Sequence, residues 1–286
     1  MKVLVTGSGQ LAWELEQTVP ASVELVKAPR AVLDITDDMA CERVLSEVRP
    51  DWVINAAAYT AVDKAETEVE QAYAVNETGA ANLARASARC GARLMHVSTD
   101  FVFDGNTSRP YEPGSDVNPQ SVYGASKLAG ERAVLKELSS AVIVRTAWVY
   151  SAHGQNFVKT MLRLMREKPE LGVIVDQVGT PTWARGLAEV LWQGVSRAVP
   201  GGVYHWSDAG VASWYDFAVA IQDAALKRDR LHQAIPVKPI RTEAFPTPAK
   251  RPAYSVLDKA STWEAIGVAP VHWRHQLEAM MDTLAD

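Results

Sequence analysis

Short aliphatic and β-branched runs alternate with amphipathic stretches along the first half of the chain. The runs predict strands at residues 2–6, 23–26, 52–55, 93–97 and 141–145, and the stretches predict helices at 10–19, 37–48, 68–90 and 122–138. Strands that alternate with helices over short connections are typical of a parallel sheet with helices on both faces. Ligands of such sheets bind beyond the carboxyl ends of the strands, so we expect the functional residues there.

The pattern changes after residue 150. Helices are predicted at 156–166, 183–197, 214–226 and 272–284, short strands at 172–176 and 203–206, and a proline-rich loop at 236–252. We therefore predict an α/β fold with a Rossmann-type doubly wound parallel sheet at 1–150 and a smaller C-terminal substrate lobe at 151–286. The strand near Val203 is expected to return to the main sheet, which would assign 183–206 to the first domain.

Composition narrows the classes of protein. The chain has 286 residues, a formal charge of −5 and a hydrophobic share of 48%, which indicates a globular protein. The mild negative charge argues against nucleic acid as a partner. Cys41 and Cys90 are too few for a disulfide framework or a zinc site. We recognise no signal peptide and no apolar run of about 20 residues, so we expect a cytoplasmic protein that does not contact a membrane.

A glycine-rich turn follows the first predicted strand. Gly7 and Gly9 begin the pattern Gly-x-Gly-x-x-Ala, which ends at Ala12 as the first helix opens. Gly7 permits a tight turn, Gly9 lets the backbone approach a pyrophosphate, and Ala12 allows close packing of helix on strand. The helix N-terminus adds free N–H groups and partial positive charge. A simple strand-to-helix turn is the alternative, but the surrounding α/β pattern favours dinucleotide binding by the 1–150 domain.

The residues after the second strand bear on the choice of cofactor. An acid there would bind the 2′-hydroxyl of NAD, whereas this chain has Lys27 and Arg30 and no acid before Asp34. Two cations suit a 2′-phosphate, so we predict NADPH as the preferred cofactor, with NADH as the alternative. Lys27 and Arg30 could equally be solvated surface charges. Asp34 and Ile35 are expected to contact the adenine ring.

Tyr123 and Lys127 form a candidate acid–base pair near the start of the helix predicted at 122–138. At a spacing of i and i+4 they share one helix face. A free tyrosine has a pKa of about 10, and a nearby ammonium would lower it toward the working range of a general acid. Tyr123 would donate a proton to a carbonyl oxygen as hydride arrives at its carbon, and Lys127 would also bind the nicotinamide ribose.

The ends of the third and fourth strands supply further polar groups. A hydroxyl of Thr99 can hydrogen-bond a substrate carbonyl beside Tyr123, although it could instead only cap a turn. The third strand ends in the segment 55–60 (NAAAYT), where small residues leave room for the cofactor and Thr60 can bond to it.

With these motifs the chain resembles the extended short-chain dehydrogenases, and within them the dTDP-4-dehydrorhamnose reductase family. The resemblance runs nearly end to end. It is carried by the segments 55–66 (NAAAYTAVDKAE), 98–103 (STDFVF), 123–127 (YGASK), 145–150 (RTAWVY), 156–157 (NF), 176–182 (DQVGTPT) and 246–252 (PTPAKRP). The VDKAE and RTxWVY segments are specific to the family rather than to the fold.

The resemblance implies NAD(P)H-dependent reduction of the 4-keto group of dTDP-4-dehydro-6-deoxy-L-mannose to dTDP-L-rhamnose, a precursor of cell-surface polysaccharide. It implies Tyr123 as proton donor, Lys127 as its partner and Thr99 beside them. The implied substrate contacts are Thr99, Asp100, Trp148, Asn156 and Arg251. The implied cofactor contacts are Gly7, Gly9, Gln10, Leu11, Asp34, Ile35, Ala58, Tyr59, Thr60, Tyr123 and Lys127.

Arg251 suits the diphosphate because a planar guanidinium matches phosphate oxygens, or else it is a surface charge in a proline loop. The family turn usually reads Gly-x-x-Gly-x-x-Gly, whereas the turn here is one residue shorter and ends in Ala12. Trp183, Trp206 and Trp214 are expected to pack the smaller lobe rather than line the site. Some family members carry magnesium at a subunit contact, but this sequence places no metal.

Two other functions compete with this prediction. One is a nucleotide-sugar epimerase or dehydratase on the same scaffold, and the segment after Thr99 and Asp100 argues against a dehydratase because Phe101 stands where a glutamate would help eliminate water. The other is a regulatory subunit that binds a dinucleotide without turnover, which the retained Thr99, Tyr123 and Lys127 argue against. The expected partner is a small nucleotide-sugar substrate, and a homodimer is compatible with the sequence.

Overall fold

The computed structural model describes residues 1–284 of the chain. Its strands are, in chain order, β1 (Lys2–Thr6), β2 (Glu24–Ala28), β3 (Trp52–Asn55), β4 (Arg93–Thr99), β5 (Val142–Thr146), β6 (Val149–Tyr150), β7 (Leu171–Ile174), β8 (Val178–Gly179), β9 (Thr182–Trp183), β10 (Gly202–His205), β11 (Ala212–Ser213) and β12 (Val237–Ile240). Its helices are α1 (Gln10–Gln17), α2 (Asp38–Val48), α3 (Val62–Ala65), α4 (Val69–Tyr73), α5 (Ala80–Cys90), α6 (Val122–Glu137), α7 (Phe157–Glu167), α8 (Ala184–Ser196), α9 (Trp214–Leu226), α10 (Ala260–Ile266) and α11 (Trp273–Asp282).

Within these residues, six parallel strands form the main sheet in the order β10-β5-β4-β3-β1-β2. The chain runs from β1 outward to β2 and then returns to β3 on the other side of β1. Such a reversal of strand order opens a crevice at the carboxyl edge of the sheet. The predicted doubly wound parallel sheet is therefore confirmed.

Helices cover both faces of this sheet because successive strand residues point to opposite sides and both sides are apolar. Val5 and Ile54 face α1 and α8 on one side. Leu4 and Val53 face α2, α5 and α6 on the other. These inward-facing residues are at most 3% exposed, so the strand ends that carry the polar groups are held by a continuous apolar core.

The smaller lobe packs α7, α9 and α11 around Phe217 and Trp273. Short strand pairs join its segments: β6 with β9, β7 with β12, and β8 with β11. The start of α9 is fixed by a reciprocal capping box, in which Ser213 and Asp216 each accept from the other's backbone N–H. The sixth strand of the main sheet, β10, lies beyond residue 150, so the sheet is completed from the second half of the chain.

Two predicted elements differ from the structure. The helix predicted at 68–90 is divided into α4, a π-helical segment at Ala74–Gly79, and α5. The loop predicted at 236–252 contains β12 and a 3-10 turn at Thr242–Ala244, because β7 provides a pairing partner that local sequence does not reveal. Among residues 1–284, none of the helices combines the length and apolar character needed to cross a membrane.

Candidate functional site

A cavity of about 1070 Å³ opens at the carboxyl edge of the main sheet, where strand ends meet residues of the smaller lobe. All the site residues predicted from the sequence line it: Gly7, Gly9, Gln10, Leu11, Asp34, Ile35, Ala58, Tyr59, Thr60, Thr99, Asp100, Tyr123, Lys127, Trp148, Asn156 and Arg251. The structure thus brings the predicted residues to one place, while the role of each stays a prediction.

The glycine-rich turn lies at one end of this cavity. Gly7 has a φ of +89°, and a Cβ added there would lie 3.0 Å from the Ala56 carbonyl oxygen, so a larger residue would be strained and crowded. Gly9 precedes α1 and has no side chain to accept from the first N–H groups of the helix. These donors and the positive end of the helix are therefore left for an anion, as in a pyrophosphate site.

The end of β2 presents one cation to the cavity instead of two. Arg30 lines the cavity and contacts Asp34, with 3.3 Å between Nε and Oδ2. Lys27 is paired instead with Glu16 at 2.6 Å, outside the residues that line the cavity. The expectation that both cations face a 2′-phosphate is therefore wrong for Lys27, because a neighbouring helix supplies an acid that the sequence pattern does not place there.

Asp34 is held by local hydrogen bonds. Its Oδ1 accepts from the backbone N–H and the hydroxyl of Thr36, at 3.0 and 2.8 Å. These bonds, followed by the charge of Arg30, outweigh burial and lower the pKa of Asp34. A firmly ionised carboxylate at this position can accept from a ribose hydroxyl.

Asn76 was not recognised in the sequence and fixes the loop after β3. It is 1% exposed and lies in the π-helical segment. Its Oδ1 accepts from Tyr59 N at 2.9 Å, and its Nδ2 donates to Tyr59 O and to Ser126 Oγ. The Ala58–Thr60 wall of the cavity is thereby tied to α6. A buried amide needs hydrogen-bond partners of this kind. An asparagine within a long predicted helix was therefore the feature of the sequence that could have indicated this role.

Thr99, Tyr123 and Lys127 converge at the end of β4. Thr99 Oγ1 accepts from Phe101 N at 3.2 Å and donates to Asp100 Oδ1 at 3.1 Å, so it does cap the following turn. It lines the same cavity as the phenol of Tyr123. Lys127 is 2% exposed, and its Nζ donates to Val97 O at 2.7 Å. The cap considered for Thr99 is therefore present, while its role toward a substrate stays a prediction.

The ionisation of Tyr123 differs from the expectation. Burial raises the pKa of Tyr123 to about 12 and outweighs a lowering by Thr99, and the charge of Asp100 is a smaller cause in the raising direction. Burial also lowers the pKa of Lys127 to about 8, although Glu131 opposes this change. The predicted lowering of the tyrosine pKa by the ammonium is thus not the prevailing effect. A phenol that stays protonated at neutral pH is the form that can donate a proton.

Asp100 is a buried carboxyl that lines the cavity with an unused acceptor. It is 2% exposed, and its Oδ2 has no hydrogen-bond partner among residues 1–284. Burial raises its pKa to about 6, against a lowering by the hydroxyls of Ser255 and Thr99. Buried acceptors are normally paired, so an orphan at a cavity wall indicates a group that a ligand donor would satisfy.

Trp148 and Trp214 form a stacked aromatic wall of the cavity. Their ring centroids are 3.6 Å apart with an interplanar angle of 6°. Trp148 has a φ of +47°, an unusual value for a bulky residue and a form of strain that is common at functional sites. Trp214 both lines the cavity and packs on the lobe core, so the expectation of packing alone is incomplete. Trp183 and Trp206 are buried and do not line the cavity. Trp183 packs in the lobe core as expected, whereas Trp206 packs in the core between the main sheet, α1 and α8.

The lobe reaches α1 through polar contacts. Asn156 Nδ2 donates to Gln10 Oε1 at 2.9 Å and to Ser151 O at 2.7 Å. Ser151 Oγ donates to the buried carboxyl of Glu14 at 2.6 Å. Asn156 therefore joins the cofactor-side helix to the lobe as well as lining the cavity.

Arg251 is engaged by an acid at the cavity edge. Its Nη2 lies 2.8 Å from Asp63 Oδ2, and its Nη1 lies 3.1 Å from Asp63 Oδ1. This bidentate pair anchors the proline-rich loop to α3. Arg251 is thus neither a free phosphate ligand nor a solvated surface charge. Within residues 1–284, no cluster of three or more His, Cys, Asp or Glu side chains is arranged to hold a metal ion.

Comparison with known proteins shows the family to which this chain belongs. The family model described as the RmlD substrate binding domain matches residues 1–286. A dTDP-4-dehydrorhamnose reductase from Aggregatibacter actinomycetemcomitans is 40% identical, and the alignment covers 97% of each chain. The structure of a dTDP-4-dehydrorhamnose reductase from Clostridium acetobutylicum is 42% identical, with a TM-score of 0.93 and coverage of 99% of each chain. That of the Bacillus anthracis dTDP-4-dehydrorhamnose reductase, in complex with NADP, is 36% identical, with a TM-score of 0.92 and coverage of 98% of each chain.

Proposed function

This chain belongs to the RmlD substrate binding domain family, and we propose that Thr99, Tyr123 and Lys127 carry out the reaction of the dTDP-4-dehydrorhamnose reductases at the cavity. It is an NAD(P)H-dependent oxidoreductase of dTDP-rhamnose biosynthesis. The reaction is the reduction of the 4-keto group of dTDP-4-dehydro-6-deoxy-L-mannose to dTDP-L-rhamnose. The observation that carries the assignment is the convergence of these three side chains in the cavity that also contains the glycine-rich turn.

The residues at the turn fit a dinucleotide. A Cβ at Gly7 would crowd the backbone of Ala56 and Ala57, so glycine keeps the turn tight, and the N-terminus of α1 offers unpaired donors to the pyrophosphate. Asp34 and Ile35 would hold the adenosine end with Arg30 available to a 2′-phosphate, and Ala58, Tyr59 and Thr60 would form the wall beside it. When bound, the cofactor supplies the hydride. The domain 1–150 with 183–206 would thus serve the cofactor, and the rest of 151–286 would serve the sugar nucleotide.

The protein's own residues handle the proton. The raised pKa of Tyr123 keeps its phenol protonated at neutral pH, so a proton is available to the carbonyl oxygen. Lys127, one helical turn away on α6, supplies positive charge that stabilises the phenolate left after the transfer. The hydroxyl of Thr99, which lines the same cavity, would donate to the developing oxyanion by turning away from Asp100 Oδ1.

The substrate contacts follow from the remaining walls. The orphan Oδ2 of Asp100 would accept from a sugar hydroxyl, and Trp148, stacked on Trp214, would form an aromatic wall of the sugar site. Asn156 would contribute its amide from the lobe side. Arg251 would reach the diphosphate only by sharing its guanidinium with Asp63.

Replacement of Tyr123 by Phe tests the proposal. In an assay that follows oxidation of NADPH by the keto-sugar nucleotide, Tyr123→Phe should lower kcat by about 10²- to 10⁴-fold, because it removes only the acidic proton. Tyr204→Phe is a matched control, since that hydroxyl donates to Pro200 O at the surface. Turnover of the Tyr123 variant close to that of the control would remove Tyr123 from the proposed role.

A further inference from the structure

A buried polar chain crosses the main sheet and ends at Lys127. Thr6 on β1 donates to Asn55 Oδ1 at 2.7 Å, and Asn55 Nδ2 lies 3.0 Å from Nδ1 of His96 on β4. His96 Nε2 lies 3.5 Å from Lys127 Nζ. All four residues are at most 2% exposed. Three neighbouring strands of the sheet thus supply a line of polar groups that leads to Lys127.

The contacts of Asn55 settle the direction of each hydrogen bond. The backbone N–H of Ala57 lies 3.1 Å from the Asn55 side-chain atom that also receives the Thr6 hydroxyl. A backbone N–H can only donate, so that atom is the amide oxygen. The other amide atom is therefore the nitrogen, which donates to His96 Nδ1.

His96 is consequently neutral with its proton on Nε2. Burial, followed by the charge of Lys127, holds the pKa of His96 well below its ordinary value. A neutral imidazole that accepts at Nδ1 carries its single N–H at Nε2. The N–H of His96 therefore faces the nitrogen of Lys127. His96 offers the ammonium no hydrogen-bond acceptor on that side.

We propose that His96 is a positioning residue for Lys127: its tautomer, fixed by Asn55, directs the ammonium protons away from the imidazole, toward Val97 O and the cavity. The donor that faces Nζ also makes the charged form of the lysine less favourable than an acceptor would. Lys127 thereby remains a cation with a lowered pKa. Its N–H groups are directed to the side where Tyr123 lies. The catalytic part of this inference rests on the proposed function, whereas the tautomer does not.

Other groups near Lys127 act differently from His96. Glu131, on the next turn of α6, raises the pKa of Lys127, but both of its oxygens are bound by Arg145 from β5 and one also by Ser98 from β4. On the preceding turn, Tyr123 is neutral. Asp100 from the end of β4 is a cause of the Tyr123 shift. Burial lowers the pKa of Lys127 to about 8 in spite of Glu131.

The tautomer can be measured directly by nitrogen NMR on protein with isotope-labelled histidine. The chain has six histidines, and His96→Gln identifies the signal of His96 by its loss. If that variant does not fold, the signal that changes in Asn55→Asp identifies it instead. We expect a neutral ring protonated at Nε2 throughout the range from pH 6 to 8. A ring protonated at Nδ1, or an imidazolium in this range, would overturn the proposal whether or not the enzyme reduces its substrate.

Kinetics test the effect on Lys127. Asn55→Asp places an acceptor against His96 Nδ1, which reverses the tautomer and turns Nε2 into an acceptor for the ammonium. His96→Leu removes the facing donor. Both should move the alkaline limb of the kcat/KM profile upward by about half a pH unit or more, with KM for NADPH little changed. His205→Leu, which alters another buried strand histidine, should leave the limb in place. An unmoved limb in the folded variants would contradict the positioning role.

Discussion

At the scale of single residues, the spacing of residues in the sequence predicted which side chains lie in the cavity. The pKa values of those side chains depend instead on the tertiary structure. The interval between Tyr123 and Lys127 is enough to place both on one face of a helix, and both line the cavity. Their pKa values were not predictable, because the largest cause for each is burial, which depends on strands and loops distant in sequence. His96 was missed for the same reason: nothing local shows that Asn55 and Lys127 flank its ring.

Asp100 illustrates a residue kept at a cost to stability. Because its pKa is raised to about 6 in the folded chain, its ionisation opposes folding. The cost is complete above that pH and disappears as the pH falls toward the ordinary value of a free carboxyl. Function-bearing groups are commonly retained at such expense.

Replacement of Asp100 by Asn should therefore stabilise the protein near pH 7.5 by roughly 1–3 kcal/mol while weakening substrate binding. Urea unfolding at pH 7.5 and pH 4.5 measures the gain, which should shrink at the lower pH. Asp104→Asn is the control of opposite sign, because hydrogen bonds from Asn106 N and Tyr111 lower the pKa of Asp104 and its loss should destabilise. An Asp100 variant less stable than the wild type at pH 7.5 would contradict this assignment.

At the scale of elements, the periodicity of hydrophobic residues predicted most helices and strands. Where a predicted helix is interrupted, the cause is a contact with another element. α9 has the predicted bounds of 214–226, because a capping box at its start and a strong apolar face act locally. The helix predicted at 68–90 is interrupted at Ala74–Gly79, where α6 approaches closely. A π-helical turn is frequent at functional sites, and here it carries Asn76 to the cavity wall.

The approach of α6 to this segment depends on Gly130. A Cβ added at Gly130 would lie 2.0 Å from the Asn76 carbonyl oxygen, a distance that requires the backbone to move. Gly130→Ala should destabilise the protein by about 1–3 kcal/mol and reduce turnover by displacing Asn76 and the Tyr59 loop. Gly114→Ala is the matched control, because no heavy atom lies within 4 Å of its added Cβ. Equal thermal stability of the two variants would show that the close approach is not required.

At the scale of the whole molecule, the sequence predicted two parts but not how they join. The carboxyl of Glu14 on α1 is 1% exposed and accepts from Ser151 Oγ and Trp183 Nε1, residues far along the chain. Gln10 and Asn156 make a second link. The cofactor-side helix and the lobe are thus held together by buried hydrogen bonds with sequence separations of more than 130 residues, which no local pattern reveals.

The joined parts explain why one cavity collects every predicted site residue. Strand ends provide Thr99 and Asp100, α6 provides Tyr123 and Lys127, and the lobe closes the cavity with aromatic and amide side chains. Such a cavity is consistent with the nucleotide-sugar substrates of the family. The family relationship and the geometry of the site therefore point to the same reaction.

The most direct test is a turnover measurement with dTDP-4-dehydro-6-deoxy-L-mannose, NADPH and the purified wild-type protein, with identification of the sugar product. We predict stoichiometric oxidation of NADPH and formation of dTDP-L-rhamnose. Interconversion of sugars without net consumption of cofactor, by protein that carries NAD through purification, would instead indicate an epimerase. That result, or the absence of any turnover by folded protein, would contradict the assignment of the cavity as a reductase site.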